Sequence, residues 1–128
     1  APAPFTSFDQ EDNESFWARH QRERHVPSVD VDDVHRPDVL VVDVRPPHEY
    51  GITALPHSLH MAWDTIRRDV QGARTAIAQA AQGRDVLVVC RRGNDSRAAV
   101  HLLDMPRCQN VRGGLRAYAD KHPDFPMY

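Results

Sequence analysis

Cysteine is scarce in this 128-residue chain: Cys90 and Cys108 are the only two, without CxxC spacing and without a second pair. Two thiols make no disulfide framework, and a structural zinc site would lack its usual ligand spacing. The usage suits a reducing compartment, and the expectation is a cytoplasmic protein. Excess positive charge is missing too. Sixteen Lys and Arg stand against eighteen Asp and Glu, a net charge of −2, which removes the electrostatic footprint of a general nucleic-acid binder. No apolar run approaches the roughly 20 residues needed to cross a bilayer, so no membrane partner is expected. The opening Ala1-Pro2-Ala3-Pro4 has neither the basic start nor the apolar middle of a secretory signal, and no initiator Met precedes it; the expectation is a piece of something longer. No internal repeat is evident.

What is present is an alternation of short apolar runs and helical patterns. Residues 1–24, rich in Pro, Ser, Asp and Glu, read as a linker or tail, with a short helix at 14–24 carrying Phe16 and Trp17. The organised domain is placed at 25–128, a length sufficient to bury a core without disulfides. An edge strand at 25–29 leads into a helical turn at 31–35 capped by Asp30. Val39-Leu40-Val41-Val42, ending on Asp43, and Val86-Leu87-Val88-Val89, ending on Cys90, have the all-apolar character of strands buried on both faces. Between them lie a helical turn at His48-Glu49-Tyr50 closed by Gly51, a strand at 58–61, and one long helix from Asp64 to Gly83 with Asp64 or Thr65 as its cap. Beyond Cys90, Ala98, Ala99, Leu102 and Leu103 mark the inward side of another helix, Asn110-Val111-Arg112 a brief strand, and Gly113-Gly114 the turn into a final helix. The order predicts an α/β domain, a short parallel sheet with helices on both faces.

In such sheets ligands sit beyond the carboxyl ends of the strands, where Asp43 and Cys90 both fall. The run Cys90-Arg91-Arg92-Gly93-Asn94-Asp95-Ser96 must turn sharply from strand to helix, so backbone N–H groups and the positive helix end converge on the thiol. A free cysteine is only a few per cent thiolate at neutral pH, and the thiolate is the nucleophile. Each unit of pKa lowering takes about 1.36 kcal/mol of preferential anion stabilisation, and a helix end, several N–H donors and two arginines are the available sources. Cys90 is therefore the candidate nucleophile. Arg91 to Ser96 form its anion-cradling loop, with Gly93 permitting close backbone approach and Ser96 or Asp95 capping the helix.

Asp43-Val44-Arg45, Leu55-Pro56-His57-Ser58-Leu59-His60, the Cys90 loop and Val111-Arg112-Gly113-Gly114-Leu115 together resemble a rhodanese-like domain. More narrowly, the Cys90–Ser96 loop and the ending Asp124-Phe125-Pro126-Met127-Tyr128 resemble the carboxyl-terminal sulfurtransferase domain of the eukaryotic adenylyltransferase and sulfurtransferase family, the molybdopterin-synthase sulfurylases and ubiquitin-like-modifier activators. The resemblance implies a persulfide on Cys90, loaded by a cysteine desulfurase or another sulfane donor. It implies delivery of that sulfur to the adenylated carboxyl terminus of a ubiquitin-like sulfur carrier, serving molybdenum-cofactor assembly and transfer-RNA thiolation. It also implies an amino-terminal adenylating partner domain that holds the ATP and zinc and releases the product through a further cysteine; no cofactor is implied here. Asp95 departs from thiosulfate-using rhodaneses, which carry a neutral or basic residue at that end of the loop.

Other readings follow from spacing. Asp43 and Arg45 are expected to support the loop as a structural acid–base network together with Glu49. Cys108 is expected to pack beside the last strand rather than resolve a disulfide. His57 and His60, placed on one strand at an odd spacing, would point to opposite faces, and no metal is expected. A cysteine phosphatase needs arginine at the sixth position after the thiol, which here is Ser96, with Arg97 one step late. A single-domain rhodanese using thiosulfate and a non-catalytic docking module are the remaining alternatives.

Overall fold

The computed structural model describes residues 26–126. The expected tail and helix at 1–24, His25, and the closing Met127-Tyr128 lie outside them. A five-stranded, wholly parallel sheet has the order β1-β5-β4-β2-β3. Its strands are β1 (Ser28–Val29), β2 (Val39–Asp43), β3 (Leu59–His60), β4 (Asp85–Val89) and β5 (Cys108–Val111). The helices are α1 (Pro47–Ile52), α2 (Trp63–Arg68), α3 (Val70–Ala81), α4 (Asn94–Leu103) and α5 (Gly114–Lys121), with a 3-10 turn at Val31–His35.

Strand alternation assigns the two cores. Leu40, Val42, Val86, Val88 and Cys90 face one side, against Ile66, Ala73, Ile77, Ala99 and Leu103 of α2, α3 and α4. Val39, Val41, Leu87 and Val89 face the other, against Val31, Leu115 and Tyr118. Both faces of β2 and β4 are thus covered, which is why these strands read as unbroken apolar runs.

The chain leaves β2 outward to β3, then crosses back so that β4 lies on β2's other side. The switch point of the sheet is therefore between β2 and β4. Asp43 pairs with Val89, so Asp43 and Cys90 emerge side by side there.

Several local expectations are corrected. The long helix from Asp64 is two helices. Asp69 leaves helical geometry (φ −149°, ψ 80°), and its carboxylate accepts the Gly72 N–H at 2.9 Å, capping α3. Neither Asp64 nor Thr65 caps α2, whose cap position is Ala62 with no side-chain bond. Gly51 lies within α1, which runs on to Ile52 because the carbonyl of Glu49 still receives the Thr53 N–H. Asp30 occupies the predicted cap position but makes no side-chain cap bond; its carboxylate holds Arg112 instead. Leu102 is exposed and Val100 takes the inward place on α4. Cys108 is the first residue of β5 rather than a neighbour of it.

Candidate active site

Cys90 is the first residue after β4, and the parity of Val86 and Val88 aims its side chain at the α4 side of the sheet. There the chain reverses through Arg91 and Arg92 to Gly93, which adopts φ 94° and opens α4. A β-carbon at Gly93 would come within 3.0 Å of the Gly113 nitrogen, so the residue is held both by its positive φ and by the closeness of the β5–α5 turn.

Two amides of this segment point at the sulfur. Gly93 N–H reaches Cys90 Sγ at 3.0 Å and Ser96 N–H at 3.4 Å. Leu115 N–H donates to the Cys90 carbonyl at 2.9 Å and Arg116 N–H to the Arg91 carbonyl at 2.8 Å, so the amino end of α5 holds the oxygens outward. Cys90 itself is 5% exposed. Its sulfur faces N–H donors as well as apolar neighbours, an arrangement that accommodates negative charge on sulfur.

The predicted loop residues divide by exposure. Arg92, Asn94 and Asp95 are exposed on the rim, Arg91 is half-buried, and Gly93 and Ser96 are buried against the sulfur. Neither Ser96 nor Asp95 caps the helix, because Gly93 holds that position and Ser96 falls in the first turn. The Ser96 hydroxyl accepts from the thiol at 3.2 Å and donates to Asn110 Oδ1 at 2.6 Å. No motif or spacing singles out Asn110 as part of the site; a polar residue inside a buried strand is the available signal.

Asp43 and Arg45 form a buried pair beside this site rather than inside it. Arg45 gives Asp43 its Nε–H at 3.0 Å to each oxygen, an NH2 hydrogen at 2.7 Å and its own backbone N–H at 3.0 Å. The rest of its fork reaches the backbone carbonyls of Thr53 at 2.6 Å and Glu49 at 3.4 Å, so α1 is tied to the end of β2. The Arg45 carbonyl in turn meets His60 Nε2 at 2.8 Å, and the His60 ring stacks on Tyr50. His57 is exposed in a turn at φ 65°, not on a strand with His60. Among the described residues no group of three or more His, Cys, Asp or Glu is arranged to hold a metal ion, and no helix is long and apolar enough to cross a membrane.

Cys108 lies beside Val86 in the sheet register, four residues before Cys90. At the rise of a parallel strand that is a separation of about 13 Å along the sheet, beyond disulfide reach. Burial pushes its thiol up to about 12, so it stays protonated and unreactive at neutral pH. Beside the loop a cleft of about 390 Å³ lies between α1 and α2, lined by Val44, Pro46, Trp63, Thr65 and Arg68, with Asp95 at its edge.

The model of the rhodanese-like domain matches residues 31–121, from the 3-10 turn to the end of α5. This chain belongs to the rhodanese-like family. It is similar to adenylyltransferase and sulfurtransferase MOCS3-2 of Zea mays, 34% identical over 93 residues that make up 70% of this chain and 19% of the relative. It is 39% identical to MOCS3 of Aedes aegypti over 97 residues, 70% of this chain and 22% of that protein. The corresponding match to UBA4 of Kluyveromyces lactis is 35%, with the same two coverages. The chain thus spans about a fifth of the length of the curated relatives it matches.

Among solved structures, a rhodanese-related protein from Thermoplasma volcanium superposes with a TM-score of 0.62 at 23% identity, covering 78% of this chain and 95% of that one. A human single-domain sulfurtransferase gives 0.60 at 16%, covering 74% and 96%. These two show the fold. The rhodanese-like domain described here is homologous to the sulfurtransferase domains of the MOCS3 and UBA4 proteins, which supports a sulfurtransferase-type role at the level of the family.

Proposed function

We propose that this rhodanese-like domain carries sulfane sulfur on Cys90 as a persulfide and delivers it to the adenylated carboxyl terminus of a ubiquitin-like sulfur-carrier protein. The observation that supports the reading most is the pair of amides, Gly93 and Ser96, aimed at a sulfur on the tip of a central strand.

In the loading step the Cys90 thiolate attacks the outer sulfur of a donor persulfide. A new S–S bond forms, the donor's S–S bond breaks, and the donor leaves as a thiolate with the electron pair, so no net oxidation occurs. In the delivery step the outer sulfur of the Cys90 persulfide attacks the acyl-adenylate carbon, and AMP departs with the electrons of the C–O bond. The resulting acyl disulfide is opened by a second thiol, which joins Cys90 in a disulfide and frees the thiocarboxylate. That thiol, with the ATP and zinc, belongs to an amino-terminal adenylating domain; the rhodanese-like domain itself uses no cofactor. A cysteine desulfurase is the donor that fits, in the cytoplasm, with molybdenum-cofactor assembly and transfer-RNA thiolation as the destinations. Arg92, exposed on the rim, and half-buried Arg91 add positive field toward an acidic partner surface.

The test is incubation with a desulfurase and cysteine, followed by intact-mass measurement. One added sulfur on Cys90, released as thiocyanate by cyanide, is the expected result, and Cys90→Ala abolishes both while leaving the fold intact. Sulfur that still loads on Cys90→Ala, or wild type that never loads, overturns the reading.

Asp95 weighs against small-anion donors. An exposed carboxylate at the rim repels thiosulfate, so Asp95→Thr is expected to raise thiosulfate:cyanide turnover about threefold or more, with the gain shrinking as salt is added. Unchanged or lower turnover counts against this account of donor choice.

A further inference from the structure

A line of polar groups, buried through Asn110, runs from the sulfur to the edge of the sheet. The Cys90 thiol donates to Ser96 Oγ at 3.2 Å, Ser96 donates to Asn110 Oδ1 at 2.6 Å, and Asn110 Nδ2 reaches Ser28 Oγ at 3.4 Å. Ser28 ends the line by donating to the Val26 carbonyl at 3.2 Å. Ser96 is 0% exposed and Asn110 3%. An orphaned polar atom at either would cost about 1–3 kcal/mol, because water cannot replace the missing partner.

Every donor along this line points away from the sulfur. That polarity suits a thiol and opposes a thiolate, since Ser96 has one hydroxyl hydrogen and Asn110 receives it. Turning the hydroxyl onto an ionised sulfur would orphan Asn110 Oδ1, unless the amide turns with it.

We propose that Asn110 is a positioning residue for Cys90, acting through Ser96: a half-turn of its side-chain amide reverses the line when the sulfur loses its proton. In the reversed line Asn110 Nδ2 donates to Ser96 Oγ, Ser96 donates to Sγ, and the Ser28 hydroxyl donates to Asn110 Oδ1. The one proton lost is that of the thiol, which goes to solvent; the other hydrogens stay on their own atoms and change direction. The Val26 carbonyl gives up its donor, and Val26 is half-buried at the sheet edge, where water can serve it. Asparagine is suited to this place because its acceptor and donor exchange by rotation. Aspartate offers acceptors only, and leucine offers neither.

The inference rests on Cys90 as the sulfur-bearing group, and its test is separate from the sulfur-loading assay. The rate at which iodoacetamide alkylates Cys90 is followed against pH, resolved from Cys108 by peptide mass. Asn110→Asp claims the Ser96 hydrogen permanently. It is expected to move the profile up by about one pH unit, which is about tenfold slower alkylation at neutral pH. Asn110→Leu leaves that hydrogen free for the sulfur and is expected to produce no upward shift. With Ser96→Ala already in place, the further effect of Asn110→Asp is expected to fall below about threefold.

The charged groups on the elements around the sulfur are common to all these variants. They are Arg91, Arg92, Asp95 and Arg97 on the loop and α4, Arg68 on α2 across the cleft, the Asp43–Arg45 pair, and Arg112 and Arg116 flanking the β5–α5 turn.

Wild type supplies a measurement that needs no variant to fold. The Asn110 side-chain amide resonances are expected to titrate with the same midpoint as Cys90 alkylation. The proposal is overturned if those resonances stay still through the transition, if Asn110→Leu shifts the profile upward as far as Asn110→Asp, or if the aspartate effect persists in full without Ser96. Wild type that fails to load sulfur while showing these shifts would instead overturn the sulfur-carrying reading.

Discussion

Loss of roughly 3–5 kcal/mol of folding stability is the expected result of replacing Arg45 with alanine. The side chains of Arg45 and Asp43 are each only 1% exposed, and the carboxylate receives three hydrogen bonds from the guanidinium in addition to the Arg45 backbone N–H. Removing the guanidinium strands a negative charge among apolar strands and also frees the Thr53 and Glu49 carbonyls that tie α1 to β2. The cost comes chiefly from the uncompensated charge, because an intact buried pair roughly offsets its own desolvation.

The double variant Asp43→Asn with Arg45→Met is therefore expected to recover more than half of the loss. The side-chain amide oxygen introduced at position 43 still accepts the backbone N–H of position 45, and no charge is left buried. Urea unfolding with an unchanged m-value is the measurement. A single-variant cost below about 1 kcal/mol, or a double variant no better than the single, would show that the pair does not hold this end of the sheet. Because the pair does not touch the sulfur, the single variant is expected to load sulfur normally below its unfolding temperature.

The second large effect concerns Gly114, which sits at φ 61° beneath the nucleophile loop. A β-carbon there would overlap the Cys90 carbonyl oxygen and stand 2.7 Å from both the carbonyl carbon and oxygen of Arg91. Backbone on both sides cannot retreat without breaking the Leu115 and Arg116 bonds that aim the loop's carbonyls outward. Gly114→Ala is expected to slow sulfur loading about a hundredfold, the scale associated with displacing reacting groups by about 1 Å. It is also expected to destabilise by about 1–3 kcal/mol through overpacking and positive φ.

Gly83→Ala separates the two causes. Gly83 has φ 82° but nothing within 4 Å of a would-be β-carbon, so that variant carries the backbone strain alone and is expected to load sulfur at the wild-type rate. Sulfur loading by Gly114→Ala within about threefold of wild type would sink the claim that the loop depends on this contact.

Much of the site was legible without coordinates because its parts are neighbours in the chain. The all-apolar runs before Asp43 and Cys90 name two central strands, and alternation with helical patterns requires a parallel sheet whose carboxyl ends share a side. The turn from strand to helix over Arg91, Arg92 and Gly93 brings the Gly93 and Ser96 amides onto the thiol. Boundaries and caps fared worse. Asp69 splits a continuous helical periodicity because a short carboxylate competes for the Gly72 N–H, which a tally of apolar positions does not register. Ser96 has the composition of a cap, yet Gly93 takes that position and places Ser96 a full turn inward, facing the sulfur.

By itself the amino-acid sequence determined the α/β class, the family resemblance, and the position of a thiol at the tip of a buried strand, because hydrophobic period and turn chemistry are written in adjacent residues. Tertiary structure alone decided that Asn110 meets Ser96 across fourteen positions, that Gly114 braces the loop, and that Cys108 is out of reach of Cys90. Those relations depend on strand order and register. They are set when distant segments compete to bury their surfaces against one another, and no local pattern records the outcome.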